Sequence, residues 1–314
     1  MKSPVALFMF RRPDTTAVVL DAIRAARPSI LLVVADGPRA GRDDDAAACA
    51  ATRALIDGVD WPCDVRREFA NENMGCRRRV SSGLAWVFGQ VPEAIILEDD
   101  CVPDATFFPF CDELLDRYRN DARVAQISGA NNQKGRRRGA DSYYFSRYNP
   151  VWGWASWRRA FAPYDATMRR WPELRDARWL EQVLDSRAQV QYWTTVFQDC
   201  FDGRIDTWDY QWVFASWLHD MLAVVPNRNL VRNIGFGAGA THTAGQAMFA
   251  DDPLEKMEFP LRHPAGVARN VEADRFSERL EYTEPWRARA RKALRRVVPD
   301  PIMRAIRAIR RRAP

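Results

Sequence analysis

Glu98, Asp99 and Asp100 stand side by side at the end of the run AIILEDD, residues 94–100. Adjacent carboxylates repel one another and are costly to strip of water, so three of them closing an apolar run ask for a cation or for many donors. A divalent cation answers that demand. Hard oxygen ligands favour Mg2+ or Mn2+, held by one or two carboxylates together with the phosphates of a substrate. The plainer use of such acids is to open a loop and cap a helix starting near Asp104.

Phosphates must be held by some other part of the chain. The pattern G-x-x-x-x-G-K-[ST] is absent and no G-x-G-x-x-G follows the first apolar run, so neither a P-loop nor a dinucleotide site is supported. Instead FRRPD (10–14), ADGPR (35–39) and NENMGCRRR (71–79) each follow an apolar or β-branched run. Basic and polar residues at successive strand ends can hold the base, ribose and diphosphate of one ligand across a crevice.

The elements that must position these residues alternate between strand-like and amphipathic segments. VALFMF (5–10), ILLVVAD (30–36), CDVRREF (63–69), AIILEDD and RVAQISG (123–129) read as five strands. Between them PDTTAVVLDAIRAA, opened by Pro13 and Asp14, AAACAATRALIDG, CRRRVSSGLAWVFGQ and residues 104–120 read as helices. Continuous apolar runs that end in polar residues mark central strands buried on both faces, whose carboxyl ends open onto a crevice. The fold class expected is therefore α/β, a mostly parallel central sheet flanked by helices. After about residue 140 nine tryptophans fall within 66 positions, from Trp152 to Trp217, and this half reads as helices and short strands packed over the open edge of the sheet.

The ordered set VALFMFRRPD, ADGPR, NENMGCRRRVSSGLAWVF, IILEDDCVPDATFFPF, WGWASW, WDYQW and NLVRNIGFGAGATHT resembles the nucleotide-sugar-dependent glycosyltransferases of the GT-A fold, among them bacterial family 2-like enzymes and N-acetylglucosaminyltransferase, over roughly residues 4–265. The resemblance implies that Asp100 binds the Mn2+ (or Mg2+) bridging the donor's phosphates, with Glu98 and Asp99 nearer the sugar and ribose. It implies that Asp36 contacts the base, that Arg11 or Arg12 supplies the basic position after the first strand, and that Arg79 or a neighbour lies near the donor. In WDYQW it makes Asp209 the catalytic base, which suits inverting transfer: one carboxylate takes the acceptor's proton while the metal carries the charge of the departing diphosphate. Asp209 alternatively caps the helix ahead of YQWVFASW. His242, after Gly235, Gly237 and Gly239, is implied as a further metal ligand or a hydrogen-bonding residue, whereas His219 and His263 read as structural. Trp152 and Trp154 offer faces for stacking on a sugar ring, or for the core.

The whole chain carries a formal charge of +6, yet residues 285–314 alone hold eleven Arg/Lys and one acid, so the remaining body is −4. That tail mixes arginines with Leu294, Val297, Ile302, Met303, Ile306 and Ile309 at near-helical spacing, which suits an anionic membrane surface. Without aromatic interleaving or a known motif it does not suit nucleic acid. No secretory leader and no apolar run of about 18 residues is seen, and the six cysteines show no C-x-x-C spacing. The expected arrangement is a glycosyltransferase domain at 1–265, a linker at 266–284 and a basic amphipathic tail at 285–314, cytoplasmic and peripheral on the inner membrane face. A UDP-sugar donor and a glycan or lipid-linked acceptor for surface polysaccharide are the expected substrates. The rival readings are a sugar-nucleotide nucleotidyltransferase, which would carry a glycine-rich loop where FRRPD stands, and a non-catalytic carbohydrate-binding protein.

Overall fold

The computed structural model describes residues 1–236, 249 and 251–282. Its centre is an eight-stranded mixed sheet. The first half of the chain runs β1 (Val5–Met9), α1 (Pro13–Ala26), β2 (Ile30–Ala35), α2 (Asp43–Ala54), β3 (Asp64–Phe69), α3 (Cys76–Gln90) and β4 (Glu93–Glu98). Then come β5 (Cys101–Pro103), α4 (Phe107–Arg117), β6 (Val124–Ser128), β7 (Tyr143–Ser146) and β8 (Trp154–Trp157). Helices α5 (Arg158–Phe161), α6 (Trp171–Asp176), α7 (Leu180–Val183), α8 (Arg187–Phe201) and α9 (Asp209–Leu218) follow, and β9 (Leu222–Pro226), β10 (Val231–Asn233) and α10 (Val271–Leu280) complete the described chain.

In space the strands lie in the order β3-β2-β1-β4-β8-β6-β9-β7. Neighbours from β3 to β4 are parallel, as are β6 and β9, while β8 runs antiparallel between β4 and β6 and β7 antiparallel to β9. Strands β1 and β2 are almost wholly apolar and buried, as strands covered by helices on both faces must be. The chain steps outward from β1 to β3 and then returns to place β4 on the other side of β1. The carboxyl ends of β1 and β4 therefore flank a switch point, where open α/β sheets leave a crevice. Beyond β4, β5 pairs antiparallel with β10, setting Asn233 opposite Cys101 and hence beside Asp100.

The tryptophan-rich half does more than cover an edge. Strands β7, β8 and β9 enter the sheet itself, a departure from the expected packing over its edge. The strand WASW is only four residues long and buried throughout, so it shows neither length nor alternation. Helices α6 to α9 build a second core in which Trp193 meets Trp217 and Phe197, with ring centroids 4.8 and 5.2 Å apart. Truncating one such indole to alanine would cost about 3–5 kcal/mol.

The stretch 266–284, expected to be a linker, carries a docked helix as far as the structure describes it. Asn270 caps α10 through Ala273 N, Ser146 Oγ donates to the buried carboxylate of Asp274, and Arg269 pairs with the same group. Tyr148 donates to Glu278, and Tyr282 stacks on Tyr148 with centroids 4.5 Å apart. The expected basic tail, 285–314, lies outside the described residues. All six cysteines are free thiols. Among the described residues no helix is long and apolar enough to cross a membrane.

Candidate active site

The acidic triplet sits where the sheet's topology opens. Glu98 ends β4, and Asp99 and Asp100 turn the chain toward β5. The end of β1 meets them: Phe10 N donates to Asp99 Oδ2 at 2.9 Å, and Arg12 Nη1 donates to Asp100 Oδ2 at 2.9 Å. From the other side Asn233 Nδ2 donates to Asp100 Oδ1 at 3.1 Å, and Ile234 N donates to the Asp100 carbonyl at 2.8 Å. Gly235 follows so closely that a Cβ on it would stand 2.0 Å from Asp100 Oδ2 and 2.8 Å from Arg12 Nη1. Only a residue without a side chain lets β10 close over the acids in this way.

Burial dominates the electrostatics here. Desolvation, with the charges of Asp100, Asp99 and Asp209 added, pushes Glu98 up to about 8. Desolvation and Asp100 push Asp99 up to about 7, and Asp100 is raised by burial against the pull of Arg12. The Arg12 guanidinium thus meets a group of three carboxylates, of which Asp99 is buried and Glu98 and Asp100 are half-buried.

The loops after β2 and β3 are knitted through Asp36. Its buried carboxylate accepts from Gly37 N and Met74 N at Oδ1 and from Asn73 Nδ2 at Oδ2, each at 2.9 Å. Burial raises Asp36, and the backbone N–H groups of Met74, Gly37 and Gly75 together with the charge of Arg79 oppose it.

The arginines divide. Arg12 reaches the acids, whereas Arg11 is tied to the first turn of α2 by Asp44 at 3.0 Å and by Asp45, which Arg39 also holds. Arg79, on the buried face of α3, donates to the Glu68 carbonyl at 2.8 Å and pairs with the Glu68 carboxylate, so it braces β3. Burial lowers its pKa, opposed by the charge of Asp36.

Asp209 begins α9 and approaches the acids from the tryptophan-rich half. Its Oδ1 accepts from Tyr210 N at 3.0 Å and from the Thr207 hydroxyl. The loop before it is pinned by Asp206, which accepts from Cys76 N and Arg77 N, both at 3.1 Å, and so caps α3, whose own N-cap, Gly75, has no side chain. Asp209 also borders a cleft of about 480 Å3, counted to its open mouth, that Trp152 and Asn149 help to line. Trp152 packs edge-on against Phe236 with centroids 5.5 Å apart. Trp154 is a correction to the expected sugar wall. Its indole is 1% exposed and stacked on Trp208 at 5.6 Å, because β8 lies inside the sheet and both its faces are covered.

His242 lies outside the described residues. Among the described residues no three His, Cys, Asp or Glu side chains converge as a metal cage. The residues present nevertheless fit a dication held by a single carboxylate and a substrate's phosphates: the donors are hard oxygens, buried and short of positive charge. Sequence reasoning missed the roles of Asn233 and Asp206, which meet their partners across more than 100 positions of the chain.

No protein-family model matches the chain, and no curated protein does. Among solved structures it is similar to a mannosyltransferase from Pyrobaculum calidifontis in complex with GDP-Man and Mn2+, at 12% identity and a TM-score of 0.35 over 52% of this chain and 46% of that one. It is also similar to residues 1–349 of TarS from S. aureus, at 9% identity and a TM-score of 0.42 over 74% of this chain and 59% of that one. A third similar structure is mannose-1-phosphate geranyltransferase from Thermus thermophilus, at 11% identity and a TM-score of 0.34 over 71% of this chain and 73% of that one. The chain thus spans about half the length of the first two.

Proposed function

We propose that the protein is a GT-A-type glycosyltransferase that moves a sugar from a nucleoside-diphosphate donor, a UDP-sugar, to a hydroxyl of a glycan or lipid-linked acceptor in surface polysaccharide synthesis. One observation carries this reading. Three carboxylates, one buried and two half-buried, lie with the Arg12 guanidinium at the β1/β4 switch point, and a further carboxylate, Asp209, comes from a separate element close enough for its charge to raise Glu98.

In this reading Asp36 and the loops it fixes at Gly37 and Asn73–Met74 surround the ring of the base. Arg12 meets the diphosphate, and Asp99 and Glu98 hold ribose and sugar hydroxyls. Mn2+ or Mg2+, held by Asp100 and the donor's phosphates with His242 as a further ligand, would offset charge on the leaving diphosphate. Asp209 takes the proton of the acceptor hydroxyl as that oxygen bonds to the anomeric carbon. The bond from that carbon to the diphosphate oxygen breaks, and its electron pair leaves with the diphosphate. A base on one side and a leaving group on the other give inversion. The basic tail brings the site to anionic membranes that carry the acceptor.

Thermal unfolding with and without nucleotide tests this. UDP or GDP should raise the unfolding temperature only when Mn2+ or Mg2+ is present. Stabilisation by nucleoside triphosphates but not diphosphates would favour a nucleotidyltransferase, and no stabilisation by any nucleotide would refute the enzyme reading.

A further inference from the structure

We infer that the cleft beside Asp209 is an acceptor subsite for the uncharged pyranose end of a glycan, and that Glu281, just beyond α10, is its specificity-determining residue. This deepens the transferase reading above and rests on it for the word acceptor, though not for the binding.

The cleft is assembled from five separated parts of the chain: the loop after β6, the loop before β8, Trp193 of α8, the start of α9 and the residues just after α10. Its composition is that of a carbohydrate site. Trp152, Tyr210 and Tyr282 present aromatic surface, against which the C–H face of a sugar ring can pack. Asn132 and Glu281 supply polar groups already aligned, since Asn132 Nδ2 donates to Glu281 Oε2 at 2.9 Å. Asn149, 6% exposed, has a side-chain oxygen with no hydrogen-bond partner among the described residues. A buried unpaired acceptor of that kind costs about 1–3 kcal/mol until a ligand hydroxyl or a water satisfies it.

The charge of the lining selects the ligand. It includes the carboxyl groups of Asp209 and Glu281 but no Lys or Arg among the described residues. A phosphate or uronate placed here would be desolvated beside Asp209 without a counter-charge, which is prohibitive. A hydroxyl-rich neutral ring meets no such penalty. Burial pushes Glu281 up to about 8, so its carboxyl keeps a proton and can both donate and accept toward sugar oxygens. Its position is fixed because Asp274 and Glu278 anchor α10 to Ser146, Arg269 and Tyr148, and because Glu281 N donates to Ser277 O at 2.7 Å.

Saturation-transfer NMR on the full chain, without donor or metal, tests this directly. Methyl β-glucopyranoside should bind, and methyl β-glucuronide should not. Glu281→Ala should weaken pyranoside binding about ten-fold, the loss of one strong buried hydrogen bond, while Glu281→Gln stays within about three-fold. If Glu281→Ala fails to fold, Asn132→Ala reports on the same contact and should also weaken binding. Equal binding of the glucuronide, or wild-type affinity in a folded Glu281→Ala or Asn132→Ala protein, would overturn the assignment. A parallel nucleotide titration separates the two readings: pyranoside binding without nucleotide binding refutes the transferase and leaves the cleft assignment standing, and the reverse refutes the cleft assignment alone.

Discussion

Gly235→Ala probes the proposed donor site with a single methyl group. Gly235 is not among the glycines with positive φ, so alanine fits its backbone and any effect comes from proximity. The new Cβ would lie 2.0 Å from Asp100 Oδ2, roughly 1.5 Å short of ordinary van der Waals contact. Asp100 cannot simply retreat, because Oδ2 is held by Arg12, Oδ1 by Asn233 and its carbonyl by Ile234 N. Either Asp100 swings out of its ion pair or residues 233–236 back away from β5. Overpacking of this kind costs about 1–3 kcal/mol, and the partly exposed pair adds at most about 1 kcal/mol. For a chain of this size that lowers the unfolding temperature by about 2–10 °C. A displacement near 1 Å at the proposed metal-binding carboxylate should cost on the order of 100-fold in turnover. Calorimetric titration of UDP with Mn2+ into the folded variant should show affinity reduced at least about ten-fold. Gly266→Ala is the control, since its Cβ would meet nothing within 4 Å and should leave both quantities unchanged. Wild-type nucleotide affinity in Gly235→Ala would show that Asp100 holds neither metal nor phosphate.

Arg12→Lys keeps the charge but loses the planar fork that reaches Asp100, so metal-dependent nucleotide affinity should fall about ten-fold in the same titration. Asp209→Asn should keep UDP binding and lose transfer by about a hundred-fold or more, read as turnover of labelled donor, and retained turnover would place the base elsewhere. Asp165 is opposed by burial, but the Thr167 hydroxyl, Arg169 N and Arg169 pull it down to about 2. Because the folded value lies below the unfolded one, its stabilisation is present above about pH 4 and is lost as pH falls through about 2. Urea unfolding of Asp165→Asn should show a deficit of about 1–2 kcal/mol at neutral pH, after solvent screening, that vanishes in strong acid. Removing residues 285–314 should abolish co-sedimentation with anionic vesicles and leave UDP binding intact.

Much of the sheet was legible because its central strands are continuous apolar runs. The segments read at VALFMF, ILLVVAD and AIILEDD differ from β1, β2 and β4 by a residue or two, and CRRRVSSGLAWVFGQ coincides with α3. That Arg12 meets Asp100 depends on β4 pairing directly with β1, a strand order found only in the structure. What stayed hidden is non-local. Strand β8 has four residues and no period, so nothing local marks it as the antiparallel insert between β4 and β6. Asp206 caps a helix 130 positions earlier in the chain, and Glu281 meets Asn132 across 149 positions. The same limit misplaced Trp154 and Arg79. Their residue types suit a sugar wall and a donor contact, but strand position and burial decide which way such side chains serve, and both lie covered.

The position of Asp209 ties the two halves of the molecule into one device. The β1–β4 half concentrates negative charge at Glu98, Asp99 and Asp100, with Arg12 paired to Asp100, and such a half can hold a diphosphate only together with added positive charge. The tryptophan-rich half adds a further carboxylate, Asp209, at the start of a helix that packs into its own core. Trp212 and Trp217 fix α9 from beneath through Gln126 and the Arg147 carbonyl, and Asp206 fixes its leading loop to α3. Because α3 itself emerges from the loop that clasps Asp36, one chain of contacts sets the proposed base-binding loops and Asp209 in a single frame. A donor bound at one end and an acceptor at the other would then be held to one geometry by the protein, with no hinge required between the halves.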